Sequence, residues 1–248
     1  MQAFSLQNKT VLVTGATSGI GRQIVASIAE AGGDIVATGR NKEALDAIQK
    51  EFSKNISKII VADLTQSNAI QELVAACPPL DGFVYSAGIV KSQPIRYLTR
   101  EKLDETFNIN FYAPVAIVSE LDRGKKMNKN ASFVFLSSIA SLHPHKGATS
   151  YSASKSALES FVKVIALEYA HRGIRANTIS PGMVQTPMYE QAKEMAINEA
   201  VLKHVEQYPL GIGSPNDVAN AVIYLLSDAS KWMTGTTITL DGGLLLGF

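Results

Sequence analysis

The sequence predicts an α/β fold, a doubly wound parallel sheet of about seven strands with helices on both faces. Three observations predict it. Short apolar runs alternate with amphipathic helical segments along the 248 residues, and this alternation is typical of βαβ units. A glycine-rich turn joins the first apolar run to the first helical segment. No linker-like change in composition divides the chain, so residues 1–248 are predicted to form a single domain.

Composition and charge exclude several classes of protein. Apolar residues make up 46% of the chain and charged residues 18%, which excludes intrinsic disorder. The 23 basic and 22 acidic residues leave a net charge of +1, whereas a nucleic-acid partner needs a basic excess. Cys77 is the single cysteine, so no intrachain disulfide or cysteine-rich zinc site is expected. No signal peptide and no run of ~18 apolar residues is found, so we expect a cytoplasmic protein without a membrane partner.

The first half of the chain holds four predicted strands. Residues 10–14 are a β-branched run that ends at glycines, and residues 19–31 follow with isoleucines at helical spacing. Further strands are predicted at 34–38, 58–62 and 82–85, and further helices at 41–53 and 66–76. Pro78 and Pro79 end the last of these helices, because proline cannot continue one.

The second half repeats the alternation. Strands are predicted at 132–136, 174–179 and 236–240, and helices within 100–127 and at 151–171, 187–207 and 215–227. Ser214 followed by Pro215 is a typical helix start. The segment 187–207 is rich in charge.

The turn after the first predicted strand reads Thr14-Gly15-Ala16-Thr17-Ser18-Gly19-Ile20-Gly21. Glycines here let the backbone bend tightly and approach a pyrophosphate, and the helix N-terminus offers free N–H groups to that anion. The alternative is a turn that uses glycine for steric reasons alone, without a ligand. Its position between a strand and a helix favours dinucleotide binding.

Tyr151 and Lys155 lie four residues apart on a predicted helix and therefore share one face. A cation beside a phenol favours the phenolate and lowers the tyrosine pKa from its usual value of about 10. A general acid or base that works near neutral pH needs such a shift. The pair by itself is weak evidence, since chance gives a Tyr-x-x-x-Lys match with roughly even odds in this chain.

These motifs resemble those of the short-chain dehydrogenase/reductase family. The glycine spacing matches the family's Thr-Gly-x-x-x-Gly-Ile-Gly pattern. Ser138, thirteen residues before Tyr151, completes its Ser…Tyr-x-x-x-Lys arrangement. Asn110 matches the family's helix asparagine, and the run from Pro181 to Thr186 matches its Pro-Gly-x-x-x-Thr turn.

The resemblance spans nearly the whole chain and is strongest for 3-oxoacyl-[acyl-carrier-protein] reductases. It implies a Rossmann-type NAD(P)-binding domain and a hydride transfer between the nicotinamide and a ketone or secondary alcohol. Tyr151 would exchange a proton with the carbonyl oxygen, and Ser138 would bond that oxygen. Lys155 would hold the nicotinamide ribose and lower the pKa of Tyr151. Asn110 would hold a water that links Lys155 to solvent.

Arg40 predicts the cofactor. Dinucleotide folds that prefer NAD place an acid at the end of the second strand, where this chain has Thr38, Gly39 and Arg40. An arginine pairs with a 2′-phosphate, so NADP(H) is predicted and NAD(H) is the less favoured cofactor. The alternative is that Arg40 is a solvated surface charge.

The cofactor-binding residues predicted from the turn, from Arg40 and from the resemblance are Gly15, Thr17, Ser18, Gly19, Ile20, Gly21, Arg40, Asp63, Leu64, Ala87, Gly88, Tyr151, Lys155, Pro181, Gly182, Val184 and Thr186. Asp63 would bond the adenine amino group or cap a helix that starts near residue 66. No metal is expected, because His143 and His145 lack further ligands nearby. The family usually has Asn-Asn before Ala-Gly, and here Tyr85 and Ser86 stand there, which puts the rigidity of this loop in doubt.

The substrate remains open. A 3-oxoacyl thioester is one candidate, because Lys129 and Arg172 fall where carrier-protein reductases have basic docking residues. Both are also predicted at helix C-termini, where a cation is favoured in any case. The alternatives are a sugar or other small carbonyl, or a dinucleotide-binding regulator without catalysis. The resemblance further implies a homotetramer, in which the helical regions 100–127 and 151–171 pair across one axis, and helix 215–227 and the last strand across another. It also makes the segment 188–208 a substrate lid.

Overall fold

The computed structural model describes residues 2–187, 189–190 and 203–247. Its strands are β1 Thr10–Thr14, β2 Asp34–Gly39, β3 Ile56–Val61, β4 Leu80–Tyr85, β5 Met127–Leu136, β6 Arg175–Pro181 and β7 Thr237–Leu240. Within the described residues they form one seven-stranded parallel sheet in the order β3-β2-β1-β4-β5-β6-β7. The predicted doubly wound α/β fold is confirmed. The strand order reverses between β1 and β4, and such sheets bind their ligands beside that point.

The helices are α1 Gly19–Glu30, α2 Lys42–Glu51, α3 Ser67–Ala76, α4 Arg100–Phe107, α5 Ala113–Arg123, α6 Thr149–Tyr169 and α7 Pro215–Leu226. A π-helical turn, Asn108–Tyr112, joins α4 to α5. Ser214 caps α7 as predicted, since its side chain accepts from the backbone N–H of Asp217. Most of the predicted helix 187–207, and with it most of the predicted lid, lies outside the described residues.

Two apolar cores lie on the two faces of the sheet. Along β1, Val11 and Val13 enter the core that α1 and α7 cover, and Leu12 enters the core that α5 and α6 cover. A strand buried on both faces needs apolar residues at every position, which is why β1 reads as a continuous apolar run. The described part of the chain has no helix long and apolar enough to cross a bilayer.

The fifth strand begins earlier than the sequence predicts. We expected 132–136, and β5 starts at Met127, which pairs with Leu80 before a shift of register. The helical region expected to reach residue 127 ends at Arg123. Residues 128–130 are polar and not buried, so the apolar pattern that predicts strands is missing there. Lys129 therefore lies in a strand, and the expectation that it sits at a helix C-terminus was wrong.

Candidate active site

A cleft of about 350 Å³ lies at the carboxyl ends of the strands. The predicted cofactor residues line it, except Gly182 and Val184. Gly182 instead packs against Tyr208, because a Cβ at Gly182 would lie 2.8 Å from the Tyr208 ring. Val184 is buried and pairs with Gly213 in an isolated bridge. The structure thus brings the glycine turn, the end of β2 and the start of α6 around one space.

Glycine is required at two positions of the turn between β1 and α1. Gly15 has a φ of 64°, and a Cβ there would lie 3.0 Å from the backbone of Ala87. A Cβ at Gly21 would lie 2.1 Å from the carbonyl oxygen of Gly15. Ser18, at the start of α1, forms no side-chain capping bond. The N–H groups of the first turn of α1 are therefore available to an anion in the cleft.

Arg40 and Asp63 face each other at one end of the cleft. Within the described residues the Arg40 guanidinium is exposed and has no hydrogen bond or ion pair. Asp63 accepts hydrogen bonds from the backbone N–H and the hydroxyl of Thr65, at 3.0 and 2.8 Å. These bonds, and to a smaller extent the charge of Arg40, lower the pKa of Asp63. The N-cap of α3 is Gln66, so the alternative of Asp63 as the cap of that helix was wrong.

Tyr151 and Lys155 share one face of α6, as predicted. The Lys155 side chain is only 5% exposed, and its Nζ donates to the carbonyl oxygen of Leu136 at 2.7 Å. This Nζ lies 5.7 Å from the centroid of the Tyr151 ring. Burial lowers the pKa of Lys155 to about 8, while the charge of Glu159 acts in the opposite direction. The ammonium is thus held at the floor of the cleft.

The pKa of Tyr151 moves in the direction opposite to our expectation. Burial raises it above its usual value, and the hydrogen bond with Ser138 lowers it by less. Burial disfavours the phenolate, and the nearest cation, Lys155, is directed at a backbone carbonyl. The phenol is therefore protonated at neutral pH.

Asn110 is fully buried in the π-helical turn and clamps the loop after β4. Its Oδ1 accepts from the backbone N–H of Ile89, and its Nδ2 donates to the Ile89 carbonyl, both at 3.0 Å. Nδ2 also lies 3.1 Å from the Ser154 hydroxyl. A Cβ at Gly88 would lie 3.3 Å from Asn110 Oδ1 and 3.6 Å from Lys155 Nζ, so Asn110 and Lys155 flank the same backbone. Its amide is thus engaged by protein groups.

The comparisons with known proteins decide the family. A family model described as Enoyl-(Acyl carrier protein) reductase matches residues 15–245. The 3-oxoacyl-[acyl-carrier-protein] reductase FabG of Thermotoga maritima is 33% identical over 97% of this chain and 99% of that protein. The chain belongs to the short-chain dehydrogenase/reductase family. It is an oxidoreductase of that family.

Two further proteins show the range of its relatives. The L-xylulose reductase of Caenorhabditis elegans is 32% identical, and the alignment covers 97% of each chain. The crystal structure of a 3-oxoacyl (acyl-carrier-protein) reductase from Agrobacterium tumefaciens C58 with NADP bound superposes with a TM-score of 0.87 at 26% identity. It covers 97% of this chain and 95% of that chain.

Tyr85 and Ser86, which replace the family's usual asparagines, leave the loop after β4 well held. The buried hydroxyl of Tyr85 donates to the carbonyl oxygen of Ile109 in the π-helical turn. The Thr14 hydroxyl accepts from the backbone N–H groups of Ser86 and Ala87, at 3.1 and 3.3 Å. Other side chains thus supply hydrogen bonds to this loop, and its rigidity stays a prediction.

Several residues of the site were not expected from the sequence. Leu136 lines the cleft at the end of β5, and Glu105 lines it from α4. Ser137, which the sequence places at the edge of the sheet that presents ligands, lines it as well. Glu159 accepts from three serine hydroxyls beside the cleft. The position of Glu159, four residues after Lys155 on the same helix, was a sequence signal that it lies near the site. Its serine partners are distant in sequence and gave no such signal.

Proposed function

We propose that this protein is an NADP(H)-dependent reductase of ketones, which also oxidises the corresponding secondary alcohols. The observation that carries the proposal is the grouping of Ser138, Tyr151 and Lys155 beside a cleft with a glycine cradle. A protonated phenol next to a hydroxyl suits proton donation to a carbonyl oxygen.

The residues of the cleft fit a dinucleotide with a 2′-phosphate. Gly15 and Gly21 pack against neighbouring backbone and hold the turn that leads into α1, and the free N–H groups at the start of α1 suit a pyrophosphate. The exposed guanidinium of Arg40 fits the 2′-phosphate in a charge-assisted contact. The NADP-bound relative from Agrobacterium supports this choice. Asp63 keeps one carboxylate oxygen without a Thr65 bond, which is available to the adenine amino group.

Each side chain of the catalytic group has a separate task. Tyr151 donates its proton to the substrate oxygen, and Ser138 donates a hydrogen bond to the same oxygen as negative charge develops there. The ammonium of Lys155 holds the ribose hydroxyls and favours the phenolate that remains on Tyr151. Asn110 positions the backbone beside Lys155. When bound, the nicotinamide ring supplies or accepts the hydride.

The substrate class that we propose first is a 3-oxoacyl thioester, which the likeness to FabG supports. Arg172 argues against docking of an acidic carrier at this surface. Its guanidinium donates to Asp122 at 3.1 Å and to the carbonyl of Met127 at 2.5 Å, so it is already engaged. Lys129 is exposed. A sugar carbonyl is the second candidate, because the L-xylulose reductase is almost equally similar.

The test is a spectrophotometric panel. It would follow the oxidation of NADPH and of NADH with an acetoacetyl thioester, simple ketones, keto-sugars and steroids. We expect turnover of at least one substrate with NADPH. Binding of NADPH without turnover would leave two explanations: a substrate outside the panel, or a non-catalytic dinucleotide-binding regulator.

We also propose a homotetramer. Large apolar side chains are exposed on α6, namely Val164 at 49% and Leu167 at 80%, and Trp232 is 98% exposed near β7. Val164 and Leu167 lie in the helical region 151–171, which the resemblance assigns to one subunit contact, and Trp232 lies in the chain between α7 and β7, the two elements that it assigns to the other. Light scattering checks this, and a particle of 26.6 kDa would contradict it. The cytoplasmic location stays a prediction.

A further inference from the structure

Glu159 joins three segments of the active site at a single oxygen. Its Oε1 lies 2.7 Å from the Ser137 hydroxyl, 2.7 Å from the Ser141 hydroxyl and 2.9 Å from the Ser180 hydroxyl. A carboxylate only accepts hydrogen bonds, so the three hydroxyls donate to it. The carboxylate is half-buried, and hydrogen bonds to a charged acceptor are stronger than neutral ones. Glu159 therefore ties α6 to the end of β5, to the turn that follows it and to the end of β6.

Two of these serines lie at or next to the cleft. Ser137 lines it and precedes Ser138 in the chain, and Ser180 precedes Pro181, which lines it. The helix that carries Glu159 also carries the proton donor and the lysine. A movement of the Glu159 side chain would therefore change the distances between groups that must act together, and errors of about 1 Å are costly for catalysis.

Glu159 also provides a negative charge one helical turn from Lys155. From β5 the Lys155 ammonium meets the neutral carbonyl of Leu136. Glu105 of α4 also lines the cleft, where it is paired with Lys91. On α6 itself the ammonium faces the neutral phenol of Tyr151 and the carboxylate of Glu159. The partners of that carboxylate on the neighbouring segments are serine hydroxyls, which carry no charge.

We propose that Glu159 is a positioning residue of the active site, which holds the ends of β5 and β6 against α6 and, one helical turn from Lys155, favours the ammonium form of that lysine. The role rests on the proposed function, because it acts through Lys155 and Ser138. The competing explanation is that Glu159 is a packing anchor with no effect on the charge of Lys155.

The charge is tested without any substrate. Lysine labelled with ¹³C at Cε would be titrated by NMR in the wild type and in Glu159→Gln, with the Lys155 signal assigned from Lys155→Arg. Glutamine keeps an oxygen for the serines and removes the charge, so Lys155 should lose its proton at lower pH, by a shift of the order of 1 unit. Glu168→Gln is the matched control, because Glu168 is an exposed glutamate further along the same helix. A midpoint in Glu159→Gln within about 0.3 unit of the wild type would overturn the proposal.

The catalytic consequence is read from the pH profile of kcat/KM. In Glu159→Gln the basic limb should move to lower pH, and Glu159→Asp should move it back towards the wild-type position. A packing anchor would lower the whole profile and leave the limb in place, which overturns the proposal. If no substrate is turned over, the proposed function fails, while the NMR titration still decides the role of Glu159.

If Glu159→Gln does not fold, a second variant tests whether the serine hydrogen bonds to Glu159 position the active site. Ser141→Ala/Ser180→Ala keeps the carboxylate and removes two of its three donors. Its kcat should fall at least about threefold at an unchanged Kd for NADPH. A wild-type kcat in this variant would overturn the positioning role of Glu159.

Discussion

The two sides of the cleft are built from different material. On the side of β1, β2 and α1 the site consists of backbone, namely free N–H groups and positions where a Cβ does not fit. On the side of β5, β6 and α6 it consists of side chains, in which Tyr151, Lys155 and Glu159 are held by hydroxyl and carbonyl groups. Arg40 is an exception on the first side, since a charged side chain acts there.

The difference predicts how each side tolerates substitution. A surface made of closely packed backbone is damaged when atoms are added, because the added atoms collide with neighbouring backbone and shift the groups that bind the ligand. A surface made of side chains is damaged when atoms are removed, because a proton donor or a charge is lost. The following variants test this contrast.

Tyr151→Phe removes the phenol oxygen on the β5, β6 and α6 side of the cleft and should have the largest effect on activity. We expect kcat to fall by about 10³-fold or more, since general acid catalysis contributes 10²- to 10⁴-fold, with NADPH binding intact. Stopped-flow or steady-state kinetics would measure it. Tyr97→Phe, an exposed tyrosine outside the cleft, is the control. Retention of more than a tenth of kcat would contradict the assignment.

Gly21→Ala adds one methyl group on the β1, β2 and α1 side of the cleft. A Cβ at this position would lie 2.1 Å from the Gly15 carbonyl oxygen, so the turn must shift. We expect the Kd for NADPH to rise at least about 30-fold and the free energy of unfolding to fall by about 2 kcal/mol. Gly213→Ala is the matched control, because a Cβ there meets its neighbours at 3.7 Å or more. Fluorescence titration and urea unfolding measure the two effects, and equal behaviour of both variants would remove the contrast.

Arg40→Ala removes the charged side chain that acts on the β1, β2 and α1 side of the cleft. The ratio of kcat/KM for NADPH to that for NADH should fall by about 10- to 100-fold, because one charge-assisted contact is lost. Turnover with NADH should change little. Arg100→Ala, at an exposed arginine on α4, serves as control. A wild-type preference for NADH would show that Arg40 does not select the cofactor.

Tyr85→Phe should have the smallest effect, because it removes a bond that supports the site from outside the cleft. The carbonyl of Ile109 loses its donor in a buried place, and we expect a loss of about 1–2 kcal/mol in the free energy of unfolding. The kcat should change by less than about fivefold, since the Thr14 hydroxyl still holds the loop. Urea unfolding measures the stability, and an unchanged midpoint would show that Tyr85 does not hold the π-helical turn.

Much of the fold and part of the site could be predicted from the sequence. The alternation of apolar runs with amphipathic segments predicted the sheet, because its central strands are buried on both faces. The start of β5 at Met127 was not predicted, because residues 128–130 are polar. The pairing of Met127 with Leu80 uses backbone groups, which a pattern of side chains does not reveal. The glycine turn and the Tyr151 and Lys155 pair are local patterns, and the structure brings them to one cleft.

What the sequence by itself determined is therefore local: the order of the strands and helices, the residues where glycine is needed and the chemistry of each candidate side chain. Only the tertiary structure decided that Arg172 is engaged by Asp122, that burial raises the pKa of Tyr151 and that three distant serines meet at Glu159. The physical reason is that burial and electrostatic environment depend on groups from several strand ends at once. Those groups become neighbours only when the parallel sheet places its carboxyl ends along one edge.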